Sequence, residues 1–329
     1  MKISCALAIC LNACTALAEQ KRIVIGSGGA TGVYYPVAIA MCRLFNEDNS
    51  GQGYSCRVER TGGSIDNLNK LRAGDINFAI VQSDWQSHSY NGTSVFTKNG
   101  PYRDLRSLLA LYSEAFTIVA RSRSNIAAFQ DLRGRRVNIG NSGSGQRATM
   151  EVVMDAFGWT RFDFSTIREF SADHQAQALC DGEIDAIVFV AGHPSGSIKS
   201  ATQKCATNFV RVDGPIVQAL VRKYDYYRLT EIPAGLYSRQ TKGVPTFGLS
   251  ATVVTTSDTP SKLIIALLAS VYGNINRLQK MHPALDKLDP IEMSKDIMPA
   301  PLHRGASSFY QGLPEQLATM KHALRPKQE

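Results

Sequence analysis

The sequence predicts an α/β fold in which two lobes are joined by a two-stranded hinge. Short β-rich runs at residues 22–26, 56–59 and 78–81 alternate with segments of helical periodicity. From residue 118 onwards the chain repeats this alternation. Its 329 residues also exceed the length that a single hydrophobic core usually serves. Strands separated by helices favour a mostly parallel sheet with right-handed crossovers.

Two β-rich runs that pass between the lobes set the predicted boundaries. Residues 116–120 leave the first lobe, and residues 247–255 return to it. We therefore assign residues 19–117 and 252–329 to a discontinuous lobe I, and residues 118–251 to lobe II. Ligands of open α/β sheets bind at the carboxyl ends of the strands. The cleft between the lobes is thus the expected binding site.

The N-terminus has the pattern of a signal peptide. Lys2 supplies a positive charge, residues 3–17 are uncharged, and residues 16–18 have the small-x-small form that signal peptidase recognises. This pattern predicts a leader over residues 1–18, cleavage after Ala18 and export to the periplasm. A second interpretation, lipidation of Cys14 in a lipoprotein-like box, stays open.

Four cysteines remain beyond the leader. An even number in an oxidising compartment indicates two disulfides. Four cysteines allow three pairings, and the sequence leaves the choice open. Pairing Cys42 with Cys56 and Cys180 with Cys205 would keep each bridge within one helix-to-strand unit.

Composition and motifs argue against several function classes. The net charge is +8, but the basic residues are dispersed, which favours a small anionic solute over nucleic acid as the partner. No CxxC occurs and the six histidines are scattered, so we expect no metal. The glycines at 26, 28 and 32 miss the dinucleotide spacing by one residue, so we expect no cofactor. No nucleophile–base set stands at a recognisable spacing, which predicts a binding protein and not an enzyme. We expect the protein to be a monomer.

Candidate ligand-binding residues lie in loops that follow predicted strands. The loops at residues 26–35, 61–67 and 141–147 join strands to helices, and their small residues leave backbone N–H groups free for an anion. Polar residues directly after the buried run 78–81 are costly unless they are paired or used. The predicted ligand-binding residues are Ser27, Gly28, Thr31, Tyr34, Thr61, Gly62, Gly63, Ser64, Asn67, Gln82, Asp84, Asn141, Ser142, Ser144, Gly145 and His193.

Some of these positions, and some of their neighbours, have a second interpretation. Asp84 also fits a helix cap, and His193 fits a hydrogen-bonded position in the cleft wall. The roles of Gln146 and Arg147 stay open. Glu114, near the predicted hinge, fits either a ligand ammonium group or an arginine across the hinge.

Seven short motifs, in this order along the chain, resemble the TAXI group of solute receptors for tripartite ATP-independent periplasmic (TRAP) transporters. They span most of the chain beyond the leader, at residues 25–35, 61–67, 82–84, 131–137, 141–145, 181–186 and 192–194.

The resemblance implies a type II periplasmic-binding-protein fold that closes on its ligand by hinge motion. It also implies delivery to a fused membrane permease that is driven by an ion gradient. Ligands of the group are typically small carboxylates such as glutamate, glutamine or 2-oxoglutarate. The resemblance bears most directly on Tyr34 and on residues 61–64 and 142–145. An exported ligand sensor or surface antigen that uses the same cleft is the alternative function.

Overall fold

The computed structural model describes residues 21–50, 53–296 and 298–323 of the chain. The predicted leader and Cys14 lie outside the described residues, so export and lipidation stay predictions. The strands are β1 (Lys21–Gly26), β2 (Tyr54–Glu59), β3 (Phe78–Gln82), β4 (Leu105–Arg121), β5 (Arg136–Asn138), β6 (Thr166–Arg168), β7 (Ala186–Ala191), β8 (Thr207–Val210), β9 (Arg228–Ile232) and β10 (Val244–Thr256).

Helices alternate with these strands through most of the chain, so the predicted α/β class is confirmed. The helices are α1 (Tyr34–Asp48), α2 (Ser64–Ala73), α3 (Ser83–Asn91), α4 (Gly145–Ala156), α5 (Ala172–Asp181), α6 (Gly196–Lys204), α7 (Pro215–Lys223), α8 (Ser261–Gly273), α9 (Ile275–Met281), α10 (Pro290–Lys295) and α11 (Arg304–Ala323).

The strands form one mixed sheet with the order β2-β1-β3-β10-β4-β7-β5-β6, and β8 and β9 pair with β4 and β10. The outer pairs β1–β2, β1–β3, β5–β6 and β5–β7 are parallel. In the centre, β4 and β10 run antiparallel to each other and to their other neighbours. The first part of β4 pairs with β10, and its last part pairs with β7 and β8.

Buried apolar side chains form four clusters. Two of them draw mainly on residues 23–111 and 251–313, and the other two draw on residues 115–249. The strands β4 and β10 contribute to both sets. Between them, the rings of Phe116 and Phe247 stack with centroids 5.0 Å apart.

Three elements differ from the expectations. The strand expected at residues 116–120 begins at Leu105, because pairing with β10 extends it. The expected loop after residue 81 is the start of α3, at Ser83. The helix expected to run from residue 260 to 278 is interrupted at Asn274, whose side-chain amide donates to the Ser270 carbonyl at 3.0 Å.

The two disulfides join Cys42 to Cys56 and Cys180 to Cys205. The first connects α1 to β2, and the second connects the end of α5 to the residue that follows α6. The expectation of two bridges is confirmed. Of the three pairings that the sequence allows, the structure has the local one.

We expect the Cys180→Ser, Cys205→Ser double variant to lose about 3 kcal/mol of unfolding free energy, because this bridge closes a loop over a separation of 25 residues. Denaturant unfolding without reductant measures the loss. Adding reductant should destabilise the wild type more than the variant, because the wild type has two bridges to lose and the variant has one. A loss below about 1 kcal/mol would contradict the loop-closure account.

Candidate functional site

A cavity of about 500 Å³ opens among the loops that follow β1, β2, β5 and β6. Strands β3, β4 and β7 supply further parts of its wall. Most of the predicted ligand-binding residues line it, namely Gly28, Tyr34, Thr61, Gly62, Gly63, Ser64, Gln82, Asn141, Ser144 and Gly145. The remaining predicted residues are Ser27, Thr31, Asn67, Asp84, Ser142 and His193, and the structure places them outside the lining.

The loop between β1 and α1 forms one wall of the cavity. Gly28 and Tyr34 line it, and the Tyr34 hydroxyl donates a hydrogen bond of 2.7 Å to Glu114 Oε2. Ser27 is fully buried and its hydroxyl donates to the Glu59 carbonyl at 2.7 Å. Ser27 therefore connects β1 to the end of β2 and does not face the cavity.

The loop before α2 satisfies part of its own backbone. The Gly63 N–H donates to Thr61 Oγ1 at 3.3 Å, and the Gly62 N–H donates to the Asp66 carboxylate at 2.9 Å. These two N–H groups, expected to be free, are thus already paired. The N–H of Ser64, the first residue of α2, has no acceptor among the described residues.

The loop before α4 is held by a helix cap. Ser144 Oγ accepts from the Arg147 N–H at 3.3 Å and donates to the Asn141 carbonyl at 2.7 Å. The N–H of Gly145, which begins α4, has no acceptor in the described part of the chain. Ser142 is exposed on the outer side of this loop, so its hydroxyl is not part of the lining.

The structure answers the open questions at Gln146 and Arg147. The Arg147 guanidinium pairs with Glu151 at 3.1 Å and with Glu169 at 2.9 Å, and it does not line the cavity. Gln146 does line it, and its Nε2 is buried without a hydrogen-bond partner among the described residues. An unpaired buried donor costs about 1–3 kcal/mol, so an acceptor placed there would be favourable.

Asp84 is a structural residue of the protein interior. Its carboxylate accepts from the hydroxyls of Thr149 at 2.8 Å and Tyr227 at 3.1 Å, and from the Trp85 N–H at 2.7 Å. Burial raises the pKa of Asp84 to about 7, although these hydrogen bonds oppose the shift. Asp84 therefore joins α3 to α4 and to Tyr227, the residue before β9, and it does not line the cavity.

Asn67 and His193 are also held by protein partners. The Asn67 amide donates to the carbonyls of Ser27 at 2.7 Å and Ile80 at 2.8 Å. His193 hydrogen-bonds Thr117 and Tyr237, and it lines a separate cavity of about 750 Å³. Burial lowers the pKa of His193 to about 4, so its imidazole is neutral at pH 7.

A polar cluster at the rim joins the β1–α1 loop to α5. Asp173 Oδ1 accepts from the Thr31 N–H at 2.9 Å and from its hydroxyl at 2.8 Å, and Oδ2 pairs with Arg60 at 2.6 Å. The N–H of Ser197 donates to the Thr31 carbonyl at 2.9 Å. Thr31 therefore connects the β1–α1 loop to two segments that lie about 140 and 165 residues further along the chain.

Sequence reasoning missed several residues of the lining, among them Arg60, Ser171, Asp173, His174 and Phe189. An acidic residue in the first turn of a helix, as at Asp173, is ordinary helix capping and carried no functional signal. Arg60 lies between β2 and the loop at residues 61–67, and no sequence pattern marks it. Only the tertiary structure brings them together.

The chemistry available in the cavity is mainly that of hydrogen-bond donors. The N–H groups of Ser64 and Gly145 and the Nε2 of Gln146 are open donors, and the N-termini of α2 and α4 carry partial positive charge. Among the described residues, no group of three or more His, Cys, Asp or Glu side chains is placed to hold a metal ion. The arrangement can bind an anion without a metal.

We expect Asp173→Asn to reduce the free energy of unfolding by about 0.5–1 kcal/mol at pH 7, because it loses the ion pair with Arg60, which solvent screens in part. Although burial alone would raise it, the pKa of Asp173 is lowered by the Thr31 hydrogen bonds and the charge of Arg60. Its stabilisation is therefore present above the unfolded-state pKa and lost as the pH falls below about 4.

Urea unfolding of the wild type and of Asp173→Asn at several pH values measures this difference. Asp155→Asn is the control, since Asp155 is exposed and has no side-chain partner in the described residues. An Asp173→Asn deficit that stays constant from pH 7 to pH 3 would contradict the ionic account.

Solved structures with the same fold include two that cover most of the chain. An L-cystine ABC transporter protein assigned in Listeria monocytogenes aligns with a TM-score of 0.51 at 14% identity, covering 80% of this chain and 95% of its own. A Bordetella bronchiseptica protein aligns with a TM-score of 0.50 at 13% identity, covering 90% of this chain and 99% of its own. The predicted type II periplasmic-binding-protein fold is confirmed.

The family comparison agrees with this fold. The model of the NMT1-like family matches residues 25–312, which is most of the chain. Within the described residues, no helix combines the length and apolar character needed to cross a bilayer. The family consists of periplasmic solute-binding proteins, so the prediction of a binding protein and not an enzyme is confirmed. The chain belongs to the NMT1-like family.

Proposed function

We propose that the protein binds a small carboxylate of the glutamate, glutamine or 2-oxoglutarate class in the 500 Å³ cavity. The open N–H groups of Ser64 and Gly145 carry this proposal. They begin two helices whose N-termini meet at the cavity, where the helix dipoles favour negative charge. A carboxylate there would supply the acceptors that these N–H groups lack.

The energetics are adequate for this role. Hydrogen bonds to a charged group contribute about 1.5–3 kcal/mol each, and several are needed to offset the desolvation of a carboxylate. Gln146 Nε2 is a further open donor in the lining. Arg60 also lines the cavity, and its charge, although paired with Asp173, adds to the positive potential.

The proposed ligand contacts are the predicted residues that line the cavity, with Gln146 added. Four of the six predicted residues outside the lining have supporting roles in this proposal. Ser27, Asn67 and Asp84 fix the loops from behind, and Thr31 holds the rim.

We further propose that the two predicted lobes, residues 19–117 with 252–329 and residues 118–251, move about β4 and β10. These two strands contribute to both sets of hydrophobic clusters. Contacts at the cavity would hold the closed state, since the Asp66 N–H donates to the Gly143 carbonyl at 3.0 Å and Asn141 Nδ2 donates to the Gly62 carbonyl at 3.2 Å. Ligand binding between these loops would favour closure.

Delivery to a TRAP permease is the part of the proposal that rests on the resemblance to TAXI receptors. An ABC permease is the second candidate partner, because the Listeria protein of the same fold is assigned to an ABC transporter. Uptake assays in proteoliposomes that contain the permease encoded beside this gene separate the two. TRAP-type uptake follows an imposed ion gradient without ATP, whereas ABC-type uptake requires ATP.

We expect Ser64→Pro to weaken carboxylate binding about 10- to 100-fold, because proline removes the N–H while it fits the first position of a helix. Ser64→Ala is the matched control: it also loses the hydroxyl, which is 3.4 Å from Gln82 Oε1, but it keeps the N–H. Calorimetry with L-glutamate, L-glutamine and 2-oxoglutarate measures the affinities.

Equal affinities of Ser64→Pro and Ser64→Ala would show that the Ser64 N–H does not contact the ligand. A thermal-shift screen of the wild type with carboxylates, sugars and cations tests the ligand class independently. Stabilisation by sugars or cations alone would refute the carboxylate proposal.

A further inference from the structure

Glu114 is a buried acid in the wall of the cavity. It lies within β4, is 1% exposed and lines the cavity. Its Oε2 accepts a hydrogen bond of 2.7 Å from the Tyr34 hydroxyl. This is the hydrogen bond found for the Glu114 carboxyl within residues 21–50, 53–296 and 298–323, and Oε1 takes no part in it. One oxygen of a buried carboxyl is therefore open to a ligand.

No basic side chain neutralises this carboxyl in the described part of the protein. The titratable groups that act on it are Tyr34 from α1, Tyr112 from β4 and Asp84 from α3, and none of them is a cation. Burial, followed by the charge of Asp84, raises the pKa of Glu114 to about 8, although the Tyr34 hydrogen bond lowers it. With a pKa of about 8, the Glu114 carboxyl is mostly protonated at pH 7.

The other titratable groups of the lining are engaged elsewhere. Arg60 pairs with Asp173 at 2.6 Å, and His174 Nδ1 hydrogen-bonds the Ser171 hydroxyl at 3.2 Å. A charge partner for Glu114 must therefore come from the ligand. A buried carboxylate without such a partner is costly, which is why it retains its proton.

The carboxylate and the ammonium group of an amino-acid ligand would contact different groups of the cavity. The open N–H groups of Ser64 and Gly145 and the Nε2 of Gln146 suit a carboxylate. Glu114 Oε1 is instead an acceptor once the proton has left. A zwitterion that places its carboxylate at the helix N-termini would have its ammonium group left for Glu114.

We propose that Glu114 couples ligand binding to the release of one proton, by exchanging its own proton for the ammonium group of an amino-acid ligand. This inference rests on the proposed function, since it requires that the cavity binds a small carboxylate. In the exchange, the O–H bond of Glu114 breaks and the proton passes to solvent. The resulting carboxylate accepts an N–H of the ligand ammonium group, which keeps all its protons.

Isothermal titration calorimetry of the full chain in phosphate and in Tris at pH 7 counts the protons released. L-glutamate and 2-oxoglutarate are matched probes, because they share a carbon skeleton and both carboxylates and differ in the ammonium group. We expect L-glutamate to release about 0.5–1 proton and 2-oxoglutarate to release none. The affinity for L-glutamate should rise about 10- to 100-fold between pH 6 and pH 8, as the cost of removing the proton falls.

Glu114→Gln should abolish both the proton release and this pH dependence, since the amide does not titrate. Glu183→Gln is the control and should behave as the wild type, because Glu183 is exposed and has no side-chain partner in the described residues. If Glu114→Gln does not fold, the wild-type proton count still decides the matter.

Three outcomes would overturn the inference. L-glutamate binding without proton release, or binding of 2-oxoglutarate alone, would contradict the role of Glu114 and leave the carboxylate proposal standing. Failure of L-glutamate, L-glutamine and 2-oxoglutarate all to bind would instead contradict the proposed function itself, and this inference with it.

Discussion

The antiparallel pairing of β4 with β10 is the constraint on which the rest of the structure depends. The pair lies in the middle of the sheet, between outer strands that are parallel, and it contributes to both sets of hydrophobic clusters. Because β4 spans 17 residues, it pairs with both β10 and β7, and it carries Glu114 to the cavity one residue before the pairing with β7 begins at Ala115. The loops that form the cavity are positioned relative to each other by this shared pair.

The cavity loops combine self-satisfied backbone with a few open donors. The N–H groups of Gly62 and Gly63 donate to Asp66 and Thr61, and Ser144 caps α4, so protein hydrogen bonds hold each loop without a ligand. The donors that stay open, such as Ser64 N–H, are those at the first helical positions, where the helix supplies no acceptor. Rigid loops with few unpaired donors reduce the ordering cost of binding.

Burial affects three ionisable side chains near the centre of the protein in different ways. Asp84 is surrounded by hydrogen-bond donors and serves the interior, whereas Glu114 has one donor and one open oxygen. His193 is kept neutral between Thr117 and Tyr237. Desolvation is the largest cause of each pKa shift. The number of hydrogen-bond partners therefore distinguishes a structural group from one that is open to a ligand.

The sequence by itself determined the alternation of strands and helices, the number of disulfides and the loops that carry the donors, because periodicity and small-residue turns are local properties. The disulfide partners and the full length of β4 were decided by tertiary structure. So were the ion pair of Arg147 with Glu169, the burial of Asp84 and the positions of Arg60, Glu114 and Asp173 at one cavity. Each depends on contacts between residues far apart in the chain, such as Thr31 with Asp173, and no local pattern encodes which distant group will supply the partner or leave it missing.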